Sequence, residues 1–226
     1  MQKYTEYQKE PDGSDGVKIP HLRGAAPGIY TAGGGFIPWE ECTGGGKRRP
    51  LIMCGKSGSE ITETSKLPLE CSVVFPEGVT SICRGAFSWR YIVSAVLPDS
   101  LVSLGEDAFA FSELSSVSFG RGLLRIPDRA FAAAYLRTAV LPPQISSVGE
   151  LAFSHCCRLV SVSVLNRDGI GLGAGAFARC RDLSAVSFSS ESSGVTGLPD
   201  AFSGCGTLRR IAFAGGSVPF VRGRHA

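Results

Sequence analysis

The sequence predicts an α/β repeat fold, a curved solenoid with one parallel β-sheet and short helices or turns on its other side. Three observations predict it. An Ala-Phe pair returns along the chain and places Phe87, Phe109, Phe131, Phe153, Phe177 and Phe202 in one column, at intervals of 22, 22, 22, 24 and 25 residues. Five or six residues after each Phe, an Ile or Leu opens a short alternating run such as LSSVSF, LRTAVL or LVSVSV. Such alternation over about six residues is the pattern of a strand with one buried face. A unit this short cannot enclose its own apolar side, so a core forms only when neighbouring units stack.

Each element of the unit follows from its residues. The strands open at Ile92, Leu114, Leu136, Leu159, Leu183 and Leu208, and CSVVF at residues 71 to 75 supplies a leading strand. Ahead of each Phe stands another apolar position (Ile82, Leu104, Ile126, Val148, Leu172, Leu198), usually followed by Gly or Pro and often by an acid, as in LGEDAF, IPDRAF and LPDAF. Proline at a first helical position and acids in a first turn suit a helix start. Glu106, Asp107, Asp128, Glu150 and Asp200 are therefore expected as capping and dipole complements. The unit becomes strand, turn, short helix and return, and each copy adds a parallel strand about 4.8 Å from the last.

The chain divides into three parts. Residues 1–66 are rich in Gly, Ser and Thr and are expected to be mostly irregular. Segments such as GIYTAGGGFIPWEEC keep apolar residues enough to dock as a cap on the open end of the solenoid. Residues 67–213 hold six units and the leading strand, and 214–226 form a tail too short for another unit. Arg209 and Arg210 are expected to discourage pairing at the last strand.

These units resemble the BspA-like leucine-rich repeats, whose pattern is an apolar-Gly-x-x-Ala-Phe stretch, then a small residue or Cys, then Leu-x-x-Val-x-Leu-Pro. The likeness runs over about residues 71–213 in six in-phase copies. It implies a curved solenoid used for binding, in bacterial and protist surface proteins and not generally in enzymes. Repeats five and six depart from the pattern through the insertions NRDGIG and SSESSG, which predict a loop bulge at the C-terminal end.

Composition narrows the function classes. With 43% hydrophobic and 19% charged residues, the chain is a folded protein. Between Val73 and Phe213, 12 Arg stand against 11 acids, which predicts no nucleic-acid footprint. The polar start MQKYTEYQKE lacks a signal peptide's apolar stretch, and no later run has the roughly 18 apolar residues of a membrane helix. A cytoplasmic protein without a membrane span is thus expected from the residues, and a cell-surface one from the resemblance. The eight cysteines are expected as reduced structural thiols.

The motifs that invite chemistry fail on context. Gly171, Gly173 and Ala176 match the spacing of a dinucleotide fingerprint but fall on the turn of a repeat rather than at the head of a long helix. Gly55-Lys56-Ser57 resembles the end of a phosphate loop, yet Pro50 occupies the place of its first Gly. Lys47, Arg48 and Arg49 read as a solvated loop, with a targeting patch as the alternative. His155 stands beside Cys156 and Cys157, but neighbours on a helix diverge by about 100° and cannot act as base and nucleophile. Cys156, Cys180 and Cys205 each follow their Phe by three residues and are expected as a core ladder, with a metal or redox site as the alternative; His21 and His225 are the other histidines. No catalytic, metal or cofactor set is expected.

What is left is the outer face of the strands. Ser94, Val96, Ser116, Ser118, Thr138, Val140, Ser161, Ser163, Ser187 and Arg210 alternate with the inward residues and form the expected protein-binding face, with Ala185 and Ala212 beside them. The function predicted is a non-enzymatic scaffold for an unidentified protein partner. The alternatives are self-stacking into an assembly, glycan or ordered-lattice binding by the Ser/Thr rows, and an enzyme of unrecognised type.

Overall fold

The computed structural model describes residues 28–31, 36–38, 53–54, 60–63 and 71–220 of the chain. Four strands precede the repeats: β1 (Gly28–Thr31), β2 (Phe36–Pro38), β3 (Met53–Cys54) and β4 (Glu60–Glu63). Each coil then carries one long and one short strand. They run β5 (Cys71–Val74), β6 (Ser81–Ile82), β7 (Ile92–Val96), β8 (Ser103–Leu104), β9 (Ser116–Ser118), β10 (Arg125–Ile126), β11 (Thr138–Leu141) and β12 (Ser147–Val148). The series continues with β13 (Ser161–Val164), β14 (Ile170–Leu172), β15 (Ala185–Phe188), β16 (Val195–Thr196) and β17 (Arg210–Phe213), and β18 (Gly216–Pro219) closes it.

The expected single sheet is in fact two rows of parallel strands. Long strands pair β5–β7–β9 and β11–β13–β15–β17; short strands pair β4–β6–β8 and β10–β12–β14–β16. Both rows are interrupted at the same place, between β9 and β11 and between β8 and β10. A two-residue strand is too short to show alternation, so the short row is invisible to periodicity. In the sixth coil Val195 and Thr196 lie opposite Ile170 and Gly171. The insertion thus displaces Leu198 from the strand column, although it still packs against the core.

The third side corrects the expected helices. The helical turns among the described residues are Leu198–Ala201 and the 3-10 turn Ser192–Gly194. Elsewhere the Ala-Phe stretch is a ladder of turns bonded from coil to coil. The N–H of Phe87 donates to Ala108 C=O at 2.7 Å, that of Phe109 to Ala130 at 2.7 Å, and that of Phe131 to Ala152 at 2.8 Å. The N–H groups two residues to either side do the same: Asp107 donates to Asp128 C=O and Phe111 to Ala132 C=O. Backbone groups spent on the neighbouring coil cannot close a helical turn. Of the acids expected as helix caps, Asp200 does lie in the first turn of the helix Leu198–Ala201, whereas others serve other ends. Asp107 accepts from Arg129 Nε at 2.9 Å, Glu106 from Arg129 Nη2 at 3.2 Å, and Asp128 Oδ1 from the Glu150 N–H.

Inside, the six phenylalanines are fully buried and stack face to face, with centroids 5.0 to 5.5 Å apart and planes within 10°. An edge-on ring closes the array at each end, Phe75 against Phe87 and Phe220 against Phe202. Each stacked pair adds about 0.5 to 1.5 kcal/mol beyond area burial. The ends of the long row are closed by antiparallel strands, β1 on β5 and β18 on β17. Part of the expected N-terminal cap is therefore strand, as is part of the 214–226 tail. Arg210, expected to deter pairing, instead holds β18 through its Nη2 donation to Ser217 Oγ at 2.7 Å. The insertion NRDGIG is tied down at buried Asn166. Its Nδ2 donates to Ile145 C=O, and its Oδ1 accepts from the N–H groups of Asp168 and Gly169.

Removing a mid-array ring leaves a cavity between two coils, so Phe131→Ala is expected to cost about 3 to 5 kcal/mol. Ser116→Ala removes a buried hydroxyl that has no hydrogen-bond partner, and should shift stability by no more than about 0.5 kcal/mol. Urea titration of both variants checks the pair; equal losses would contradict the assignment of inside and outside.

Candidate interaction surfaces

The long strands alternate as their sequences require. In β11, β15 and β17 the residues are exposed and buried in turn, and in β13 half-buried and buried. The outward residues align in two rows. Thr138, Ser161 and Ala185 are in register, as are Val140, Ser163 and Ser187, with Ala212 beside Ser187. Ser187 Oγ donates to Ser163 Oγ at 3.3 Å. Arg210 is exposed on the last strand. The N-terminal end of this face is different: Ser94 has no exposure at all, and Val96, Ser116 and Ser118 are half-buried. The hydroxyls of Ser94 and Ser116 are both buried without a partner. The open part of the expected face therefore begins at β11.

The residues singled out for chemistry are placed as structure. Cys156, Cys180 and Cys205 are buried, and each thiol donates to a ladder phenylalanine's carbonyl in the preceding coil, Phe131, Phe153 and Phe177, at 3.1 Å. Burial pushes the Cys156 thiol up to about 12. A hydrogen bond with Cys205, and then burial, raise Cys180. His155 is exposed on a left-handed residue with φ 58°, while Cys156 beside it points inward. No helix is involved, yet the two still diverge. Gly171 lies in β14, and a Cβ on Gly173 would come within 2.6 Å of the backbone of Gly149 and Glu150, so close coil packing accounts for that glycine. Gly55-Lys56-Ser57, Lys47, Arg48, Arg49, His21 and His225 lie outside the described residues.

A second surface lies where the turn ladder meets the long strands. The residue two after each Phe has a left-handed backbone: φ is 59° at Trp89, 56° at Phe111, 54° at Ala133, 58° at Arg179 and 74° at Gly204. Bulky residues are strained there by about 1 to 3 kcal/mol. Trp89 and Phe111 nevertheless occupy it, 70% and 47% exposed, with rings stacked at 4.2 Å and planes 5° apart. Tyr91 and Tyr135 stand beside them, 50% and 45% exposed, and the Arg158 guanidinium lies 4.9 Å over the Tyr135 ring. The signal was present in the sequence: this column reads Trp, Phe, Ala, His, Arg, Gly, and a column with no shared polarity faces outward.

The family described as BspA type Leucine rich repeat region matches residues 69–183 in 6 copies. The chain belongs to that family. The structure carries the same coil on past the match, through β17. Among solved structures, a leucine-rich repeat protein of T. pallidum is 26% identical, with a TM-score of 0.59 over 73% of this chain and 79% of that one. One from Bacteroides ovatus is 28% identical, with a TM-score of 0.53 over 68% of this chain and 41% of that one. No curated protein matches the sequence. No helix among the described residues is long and apolar enough to cross a membrane.

Exposed Cys157 should be alkylated in the native protein, while Cys156, Cys180 and Cys205 are protected until denaturant is added; peptide mass spectrometry reads the order. The unfolded chain loses the Cys156 proton from its ordinary 9.0, whereas the fold holds it to about 12. Native stability should accordingly fall as pH rises from 9 towards 12, followed by urea midpoints across that range. Trp89→Gly relieves a strained backbone but removes a stacked ring; thermal melts should show a net change within about 1 kcal/mol.

Proposed function

We propose that the protein is a non-enzymatic recognition scaffold whose coils hold a rigid outer surface against a protein partner. The observation that carries this reading is the division of labour within each coil. The inward columns repeat almost unchanged and are fully buried, whereas the exposed positions change identity from coil to coil. A rigid core bearing a variable skin suits shape-based binding, in which specificity lies in a few exposed side chains. The antiparallel closure of the last long strand by β18 favours a binder over a stacked fibre, because that edge is already paired.

The test is capture of a partner by the full chain from the source organism's extract, with surface variants as controls. Capture should weaken about tenfold in Thr138→Lys/Val140→Lys or in Trp89→Gly/Phe111→Gly, with unchanged unfolding midpoints. Capture untouched by both variants, or light scattering that shows the purified chain growing into long assemblies, would overturn the reading.

A further inference from the structure

The corner described above changes character along the solenoid. Its first three coils present the stacked Trp89 and Phe111, with Tyr91 and Tyr135 alongside. Its last three present Arg158, Arg179, Arg181 and Arg209, all exposed; exposed Arg137 of the third coil stands in the same column as Arg209, and half-buried Arg90 lies between Trp89 and Tyr91. Glu113, half-buried, and Asp182, exposed, are the acids on the same corner. Among the described residues, the ion pairs lie elsewhere, between Arg84, Arg121 or Arg129 and the acids Asp99, Glu106 and Asp107. The four corner arginines have no carboxylate partner there: Arg158 lies over Tyr135, Arg179 Nη1 is 3.4 Å from His155 Nε2, and Arg209 donates to Gly206 C=O.

Resting on the recognition reading above, we propose that this corner docks an extended, acidic polypeptide segment bearing apolar side chains. Two features choose that partner. Trp89 and Phe111 take the strain, stay exposed and fill no core, which is the behaviour of contact residues; Trp, Tyr and Arg are the side chains that dominate protein–protein hot spots. The unpaired arginines set the partner's charge as negative. The faces of Trp89 and Phe111 that meet are taken by each other, and their exposed outer surface is suited to packing side chains. With coils about 4.8 Å apart, five steps span about 24 Å, the length of roughly seven extended residues at about 3.3 Å each.

The experiment is panning of a phage-displayed random dodecapeptide library on the full chain, followed by titration of the enriched peptides. Enriched sequences should be acidic with aromatic or aliphatic residues and should bind more weakly as salt is raised. Their affinity should fall about tenfold or more in Trp89→Gly/Phe111→Gly and in Arg179→Glu/Arg181→Glu, each with the parent's unfolding midpoint. Basic or uncharged consensus sequences would overturn the proposal, as would acidic peptides that bind both variants like the parent. Heparin binding that needs Arg179 and Arg181 but not Trp89 and Phe111, with no peptide enriched, would make the corner a polyanion site instead. Peptides lost only in Thr138→Lys/Val140→Lys would sink this assignment while leaving the scaffold reading intact; no enrichment together with no captured partner would sink both.

Discussion

Each of the first five column phenylalanines gives its backbone N–H to the carbonyl of the alanine before the next column phenylalanine, at 2.7 to 2.8 Å. This bond lies in the interior, where an unmet N–H costs about 1 to 3 kcal/mol, so the following coil is required rather than merely tolerated. It sets the coil spacing, and with it the separation of the stacked rings. A larger side chain in place of the buried alanine would hold the two backbones apart. The same bond withdraws the turn from any helix, because its donors are already committed to the neighbour.

The bond also shapes the surface. A backbone that must aim its N–H groups along the solenoid axis alternates its hand, and left-handed residues recur two places before and after the phenylalanine column, as at Asp107 and Phe111 or at Arg129 and Ala133. Side chains on this ladder are thereby set by the fold and not by local preference. Glycine suits the conformation best, yet the first two coils use tryptophan and phenylalanine at one of these positions. The core thus determines where the exposed rings stand without determining what they are.

The phenylalanine column, the long strands and the buried cysteines were legible because each repeats a burial pattern that single residues declare. The helices were not, since Pro and acids before Ala-Phe, as in IPDRAF, also open helices, and bonding to the next coil leaves no mark in one copy. The short strands were hidden by their length. The displacement of Leu198 came from an inserted SSESSG, which moves register without altering composition. On the candidate surface, alternation placed Thr138, Val140, Ser163 and Ser187 outward, but the burial of Ser94 depends on packing beyond its own repeat and was not written there.

Between the second and third coils both strand rows stop, while the turn ladder runs on through the bonds from Asp107, Phe109 and Phe111. Two sides of the prism are therefore thinly bonded at one level, while the third is bonded without a break. At that joint the Arg137 N–H still donates to Ser115 C=O at 3.4 Å and Gln144 Nε2 to Gly120 C=O at 2.8 Å, single bonds where a strand ladder runs elsewhere. Arg129 reaches back to Asp107 across the same level. The exposed pair of rings lies before that level and the arginine cluster beyond it, so the unbroken turn ladder is the side that joins them.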